Sequence, residues 1–275
     1  MQSKEIDTGT GDLLAVQEEG VLTLTLNRPD ARNALSRPMT RALAEQLAHA
    51  EFDREVKCIV LTGAGKAFCA GGDVKGMAAR GDGTVGDLTL DEAIHVQRDN
   101  QRATAGKLFK MPKPTLAALP GPAAGAGLSL ALACDLRIMS SSAFMTTAFA
   151  RVGFAGDYGG TYFLTQLVGS AKAREFYYLS ERVRAEEALQ LGLANWVCEP
   201  EELEERTRGI AGRLAGGPTV AYRYMKENLN RAMHGDVDDC LDLEATHHVH
   251  CGQTEDHREA AKAFAEKREP VFKGR

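Results

Sequence analysis

Lys57-Cys58-Ile59-Val60-Leu61-Thr62 runs directly into Gly63-Ala64-Gly65-Lys66-Ala67-Phe68-Cys69-Ala70-Gly71-Gly72-Asp73, an apolar run that stops at a glycine-rich turn. A short run of this kind bounded by turn formers reads as a strand. Upstream, Val21-Leu22-Thr23-Leu24-Thr25-Leu26-Asn27 alternates with period two and ends at Arg28-Pro29, so it reads as a strand as well. Between the two, residues 39–53 carry Leu43, Leu47 and Ala50 at helical spacing. Downstream the pattern repeats. Residues 115–119 form a buried strand, Pro120-Gly121-Pro122 a turn, the small residues of 123–134 a helix, and 136–139 a strand. Strands alternating with helices imply an α/β core.

After about Tyr158 the strands nearly vanish. Residues 170–180, 185–191, 201–214, 218–234, 237–251 and 254–267 read as helices separated by Gly and Pro. The expected organisation is a core over residues 1–200 and a helical region over 201–275. Residues 80–90 are the expected mobile loop.

The 275 residues are 44% hydrophobic, enough to bury a sizeable core. Thirty-three basic against 38 acidic residues give a net charge of −5, the opposite of a nucleic-acid binder. No stretch approaches the roughly 18 apolar residues of a membrane span, and residues 1–12 have no apolar leader pattern, so a cytoplasmic protein is expected. Six cysteines without a C-x-x-C spacing read as reduced thiols.

Two glycine-rich turns invite a nucleotide reading and fail it. Gly65-Lys66 has the dipeptide of a phosphate loop, but Val60 stands where its first glycine belongs and Ala67 where Ser or Thr belongs. Gly125-Ala126-Gly127 opens a dinucleotide fingerprint that Leu130 breaks. Turns of small residues serve another use, letting two backbone N–H groups converge on one ligand oxygen at helix N-termini. Each such donor in an oxyanion hole is worth about 3 kcal/mol of barrier. The alternative is that both are tight turns required by packing.

Taken together, these segments resemble the enoyl-CoA hydratase/isomerase, or crotonase, family along almost the whole chain. The resemblance rests on Leu26-Asn27-Arg28-Pro29 with Asn33-Ala34-Leu35, on residues 66–75, on 128–135 ending Ala-Cys-Asp, on 185–195, and on 263–268. It implies an α/β spiral of β-β-α turns with a C-terminal helical trimerisation region, working as a homotrimer or homohexamer. It implies oxyanion donors at the amides of Gly72 and Ala126. Coenzyme A, arriving as part of an acyl-CoA substrate, would touch Arg28, Ala31, Ala70, Asp73 and Val74. Phe264 and Lys267 would approach its adenine end, often in a neighbouring subunit. No resident cofactor or metal is implied.

The chain departs from the hydratase pattern at the two glutamates that would grip a water, because Ser129 and Phe149 occupy those positions. Asp157, in Gly153-Phe154-Ala155-Gly156-Asp157-Tyr158-Gly159-Gly160, matches an aspartate that isomerase branches use as a proton shuttle. Its alternative role is the N-cap of a helix starting at Tyr158. A dehalogenase would pair that aspartate with a tryptophan where Phe149 stands. The expected activity is therefore double-bond isomerisation, with hydration or hydrolysis through water held by Ser129, Asp157 or Arg151 as a second reading. A silent acyl-CoA-binding subunit is a third. His247, His248, His250 and Cys251 read as pocket or subunit contacts rather than a metal site, and Arg151 as a surface ion pair.

Overall fold

The computed structural model describes residues 3–73, 76 and 88–275. Val74 and residues 80–87 of the expected loop lie outside the described residues. The chain enters as an antiparallel meander of β1 (Lys4–Ile6), β2 (Leu13–Glu18) and β3 (Val21–Leu26). From β3 onward the sheet is parallel, adding β4 (Cys58–Gly63) and β5 (Thr115–Leu119). A second, three-stranded sheet combines β6 (Ala123–Ala124), β8 (Phe144–Thr146) and β9 (Val183–Arg184). The main sheet is completed by β7 (Leu136–Ser140) and β10 (Trp196–Cys198), in the order β1-β2-β3-β4-β5-β7-β10.

Both faces of the main sheet are covered, which is why its central strands read as unbroken apolar runs. On one face Leu22, Leu24, Ile59 and Leu61 pack with Met39, Leu43 and Leu47 of α1 (Arg37–Phe52). Ser36 caps α1 by accepting from the Met39 N–H at 3.1 Å. On the other face Cys58, Val60, Leu116 and Ile138 meet Leu203, Ala211 and Ala215. A groove of about 800 Å³ runs beside that second layer, and none of the candidate site residues lines it.

Two helices, α2 (Leu90–Ala103) and α3 (Ala105–Lys110), were not legible in the sequence. No residue of α2 is buried, so it has no apolar stripe to read. It starts at a Thr89/Glu92 capping box instead. α4 (Ala126–Ala133) begins three residues later than the expected helix, because Gly125 at φ +52° still belongs to the turn. α5 (Gly160–Leu179) begins ten residues before the expected 170, and Gly169 (φ 75°, ψ 165°) breaks it into two halves. The second half is the one the sequence shows. The remaining helices, α6 (Ala185–Gln190), α7 (Leu203–Ala215), α8 (Thr219–Ala232), α9 (Val237–Cys251) and α10 (Glu255–Glu266), match the expected segments, with α7 running one residue past its expected end. Among the described residues no helix is long and apolar enough to cross a membrane.

Lys226 of α8 clamps the helical layer to the sheet. It is 7% exposed, and its Nζ donates to Leu108 O (2.8 Å), Lys113 O (3.2 Å) and Asp135 Oδ2 (2.9 Å). The same Asp135 oxygen accepts from the Thr115 N–H and hydroxyl. Removing one partner of a buried pair strands the other's charge. Because Asp135 is partly exposed and keeps its Thr115 donors, Lys226→Met is expected to cost about 1–3 kcal/mol, read from the urea midpoint, and an unchanged midpoint would refute the clamp.

Candidate active site

The first glycine turn is pinned by Asn33, which is fully buried. Its Nδ2 donates to Ala64 O (2.9 Å) and Ala67 O (2.8 Å), while its Oδ1 accepts from the Arg28 N–H (2.9 Å). The Leu35 N–H donates to Gly71 O at 2.8 Å, and Leu35 bridges Gly72 in parallel. In that register the Gly71 carbonyl and the Asp73 amide face Leu35, so the Gly72 N–H points to the opposite side.

The second turn is laced to the first. The Ala124 N–H donates to Cys69 O at 2.9 Å, and Ala126 then opens α4. An N–H in the first turn of a helix has no intrahelical acceptor and lies at the positive end of the dipole. The contact is close enough to require glycine. A Cβ on Gly127 would lie 2.5 Å from Cys69 O, and one on Gly71 would lie 2.8 Å from Ala124 O and 3.3 Å from Ala126 N. Among the described residues, neither the Gly72 nor the Ala126 N–H has an acceptor. Two free donors on touching turns are what an oxyanion needs.

Asp157 lies between the 3₁₀ turn Phe149–Val152 and α5. Its Oδ1 is buried and has no hydrogen-bond partner among the described residues. Burial raises its carboxyl to about 6, with no second carboxylate among the described residues contributing. Its charge adds to the effect of burial in pushing Cys69 and Tyr158 each up to about 12, and Tyr177 is raised by the same two causes. The carboxylate is thus within electrostatic reach of Cys69, in the first glycine turn.

The enoyl-CoA hydratase/isomerase family model matches residues 16–275. This chain is 37% identical to the 1,2-epoxyphenylacetyl-CoA isomerase of Escherichia coli (strain K12), over 96% of this chain and 98% of the relative. It is 34% identical to the short-chain-enoyl-CoA hydratase of Clostridium acetobutylicum, over 92% and 94%. The crystal structure of an enoyl-CoA hydratase from Bacillus anthracis superposes with a TM-score of 0.87 at 30% identity, covering 96% of this chain and all of that one. The chain belongs to the enoyl-CoA hydratase/isomerase family. It has the crotonase fold, and it is an acyl-CoA enzyme.

Within this crotonase, the two positions where the hydratase glutamates would stand are closed off. Phe149 is 6% exposed and stacks on Tyr177 with ring centroids 5.7 Å apart. Ser129 is 1% exposed, donates to Gly125 O at 3.3 Å, and presses on Gly160 so closely that a Cβ there would overlap its hydroxyl. Ser129 is therefore buried and tightly packed against Gly160. The capping role considered for Asp157 is overturned. α5 starts at Gly160 rather than Tyr158, Gly159 occupies the N-cap, and no side chain caps it.

Arg28 and Asp73 come together, with Nη2 to Oδ2 at 3.2 Å, and Arg28 also donates to Ala34 O at 2.7 Å. Ala31 lies in the adjoining 3₁₀ turn, and the Ala70 N–H donates to Arg32 O at 2.9 Å. Phe264 and Lys267 are not part of this cluster within one chain. Phe264 is 88% exposed on α10, and Lys267 is the left-handed C-cap of the same helix. Arg151 is exposed and, among the described residues, has no carboxylate partner. His247 is engaged by Asn228 Oδ1 (2.6 Å), Glu227 (3.4 Å) and the Tyr224 ring stacked on it.

Three groups around Asp157 escaped the sequence reading. Tyr177 lies 20 residues away on α5, with its hydroxyl beside Gly156 and Gly160. Tyr158 is left-handed at φ +49°, and its N–H donates to Gln101 Oε1 at 2.6 Å. No local pattern signals an approach from α2 to residue 158.

Proposed function

We propose that this enzyme shifts the double bond of an unsaturated acyl-CoA, with Asp157 as the proton shuttle. The carboxylate removes a proton from one carbon, and the released electron pair moves through the chain onto the thioester oxygen. The N–H groups of Gly72 and Ala126 hold that oxygen as a dienolate. Neutral Asp157 then returns the same proton to a different carbon, and the electron pair closes the relocated double bond. The observation carrying this reading is that Asp157 is partly buried and raised to about 6, and among the described residues no second carboxylate acts on it. Isomerisation needs one such group, whereas hydration through a gripped water needs two.

Coenzyme A comes with the substrate, and no cofactor stays bound. Arg28, Ala31, Ala70, Asp73 and Val74 would hold it, with Phe264 and Lys267 contributed by a neighbouring copy. A homotrimer or a dimer of trimers would also cover the exposed Leu229, Leu241 and Val249 of the helical region. In heavy water, 3-enoyl-CoA should be converted to 2-enoyl-CoA without net addition of water. Accumulation of 3-hydroxyacyl-CoA would sink isomerisation in favour of hydration.

The raised carboxyl also sets a pH dependence. The base must be ionised, so kcat/KM should fall as pH drops through about 6, with a slope of one. An acid limb centred near 4 would mean that the titrating group is not this buried aspartate.

A further inference from the structure

The turn carrying Asp157 is anchored by the Tyr158 side chain, 7% exposed in the main core, but its backbone is held by little of its own. Gly156 (φ +117°), Tyr158 (φ +49°) and Gly159 (φ +75°) are all left-handed, and Tyr158 bears a side chain that disfavours this conformation. The carboxylate Oδ1 contributes no hydrogen bond, and the Asp157 carbonyl accepts only locally, from the Gly160 N–H at 3.1 Å. Among the described residues, the backbone of 156–158 makes one hydrogen bond to another element, in which the Tyr158 N–H donates to Gln101 Oε1 at 2.6 Å. Gln101 stands in the last turn of α2, 57 residues away in the chain, on a helix with no buried residue.

We propose that Gln101 is the positioning residue for Asp157: its amide oxygen, on the Tyr158 N–H, fixes the peptide that aims the carboxylate. The proposal rests on the reading of Asp157 as the shuttle base. Losing the acceptor frees the Asp157–Tyr158 peptide to rotate out of its left-handed conformation. That rotation swings the carboxylate out of the buried position where it lacks a partner. Among the described residues, the titratable groups that feel the Asp157 charge are Cys69 from the first glycine turn, the adjacent Tyr158 and Tyr177 from α5, all held neutral at working pH. A change in the titration of Asp157 therefore reports its own placement rather than a neighbour's charge.

The test is a carbon-13 carboxyl NMR titration of wild type, Gln101→Met, Gln101→Asn and Gln101→Glu, with Asp157→Asn identifying the resonance. Steady-state kinetics on the best acyl-CoA substrate run alongside. The wild-type midpoint should lie near 6. In Gln101→Met it should fall toward the ordinary 3.8, and kcat should drop about tenfold or more with KM within about twofold, as expected for a misaimed base. Gln101→Asn, one methylene short, should behave like Gln101→Met. Gln101→Glu keeps an acceptor oxygen but adds a negative charge beside the turn, so its midpoint should lie at or above the wild-type value, with most of kcat retained above that midpoint. A midpoint unmoved in a folded Gln101→Met or Gln101→Asn protein overturns the proposal. Full turnover by Asp157→Asn would overturn the base instead, and the NMR result for Gln101 would still be decided on its own.

Discussion

Asp157→Asn should lower turnover of an unsaturated acyl-CoA by about a thousandfold while leaving the fold as stable as wild type or more so. General acid–base transfer contributes roughly 10²–10⁴ in rate, and here one group makes both transfers. An amide matches the shape of the carboxylate but cannot take the proton. The stability sign follows from the raised carboxyl. Its folded value, about 6, lies above the ordinary 3.8, so the fold prefers the neutral form. The resulting penalty is absent below about pH 4, grows as pH rises toward 6 and is complete above it. Asparagine removes the penalty, so the variant's melting temperature at pH 7–8 should match or exceed that of wild type, and the difference should vanish in acid. Binding of a saturated acyl-CoA, measured by titration calorimetry, should be unchanged. Retained turnover would remove Asp157 from the mechanism, and a cooperative loss of stability at pH 8 would mean that the carboxylate has a partner it depends on.

Gly127→Ala should cost about a hundredfold in kcat although residue 127 touches no reacting atom. The added methyl would lie 2.5 Å from Cys69 O, 2.6 Å from Cys69 Cβ and 2.8 Å from Cys69 Sγ. Cys69 is fully buried, and a close-packed interior gives it nowhere to go. The two glycine turns must therefore separate, carrying the Gly72 and Ala126 donors apart. A misplacement of about 1 Å is enough for a loss near 10²-fold. Stability should fall by about 1–3 kcal/mol, the usual cost of overpacking. Gly212→Ala, on α7 with nothing within 4 Å of the new methyl, is the control and should leave kcat untouched. Wild-type kcat in Gly127→Ala would show that the two turns do not act as one site.

The central strands and the C-terminal helices were legible because their signals are local. Cys58-Ile59-Val60-Leu61 is apolar in every register, and Leu43, Leu47 and Ala50 recur at helical spacing. Elements without that signal were missed. β2 exposes Leu14 while burying Leu13 and Ala15, and α2 buries nothing at all. The first half of α5 appeared in the sequence only as a possible helix starting at Tyr158, because Gly159, Gly160 and Gly169 obscure its start and its break.

The two glycine turns, and the absence of glutamate at 129 and 149, are facts of the sequence alone, because glycine's conformational freedom and a side chain's ability to ionise belong to single residues. They are enough to point to an acyl-CoA family and to weigh against a two-glutamate hydration. What the sequence could not decide is which groups are left without partners. Among the described residues the Gly72 N–H is free because Leu35 pairs with its neighbours, and Asp157 is a stronger base than an ordinary aspartate because burial strips its carboxylate of water. Gln101 reaches Tyr158 across 57 residues, and Lys226 reaches Asp135 across 91. Burial and hydrogen-bond partnership are properties of the packed chain, so the chemistry of this site was decided only when distant segments came into contact.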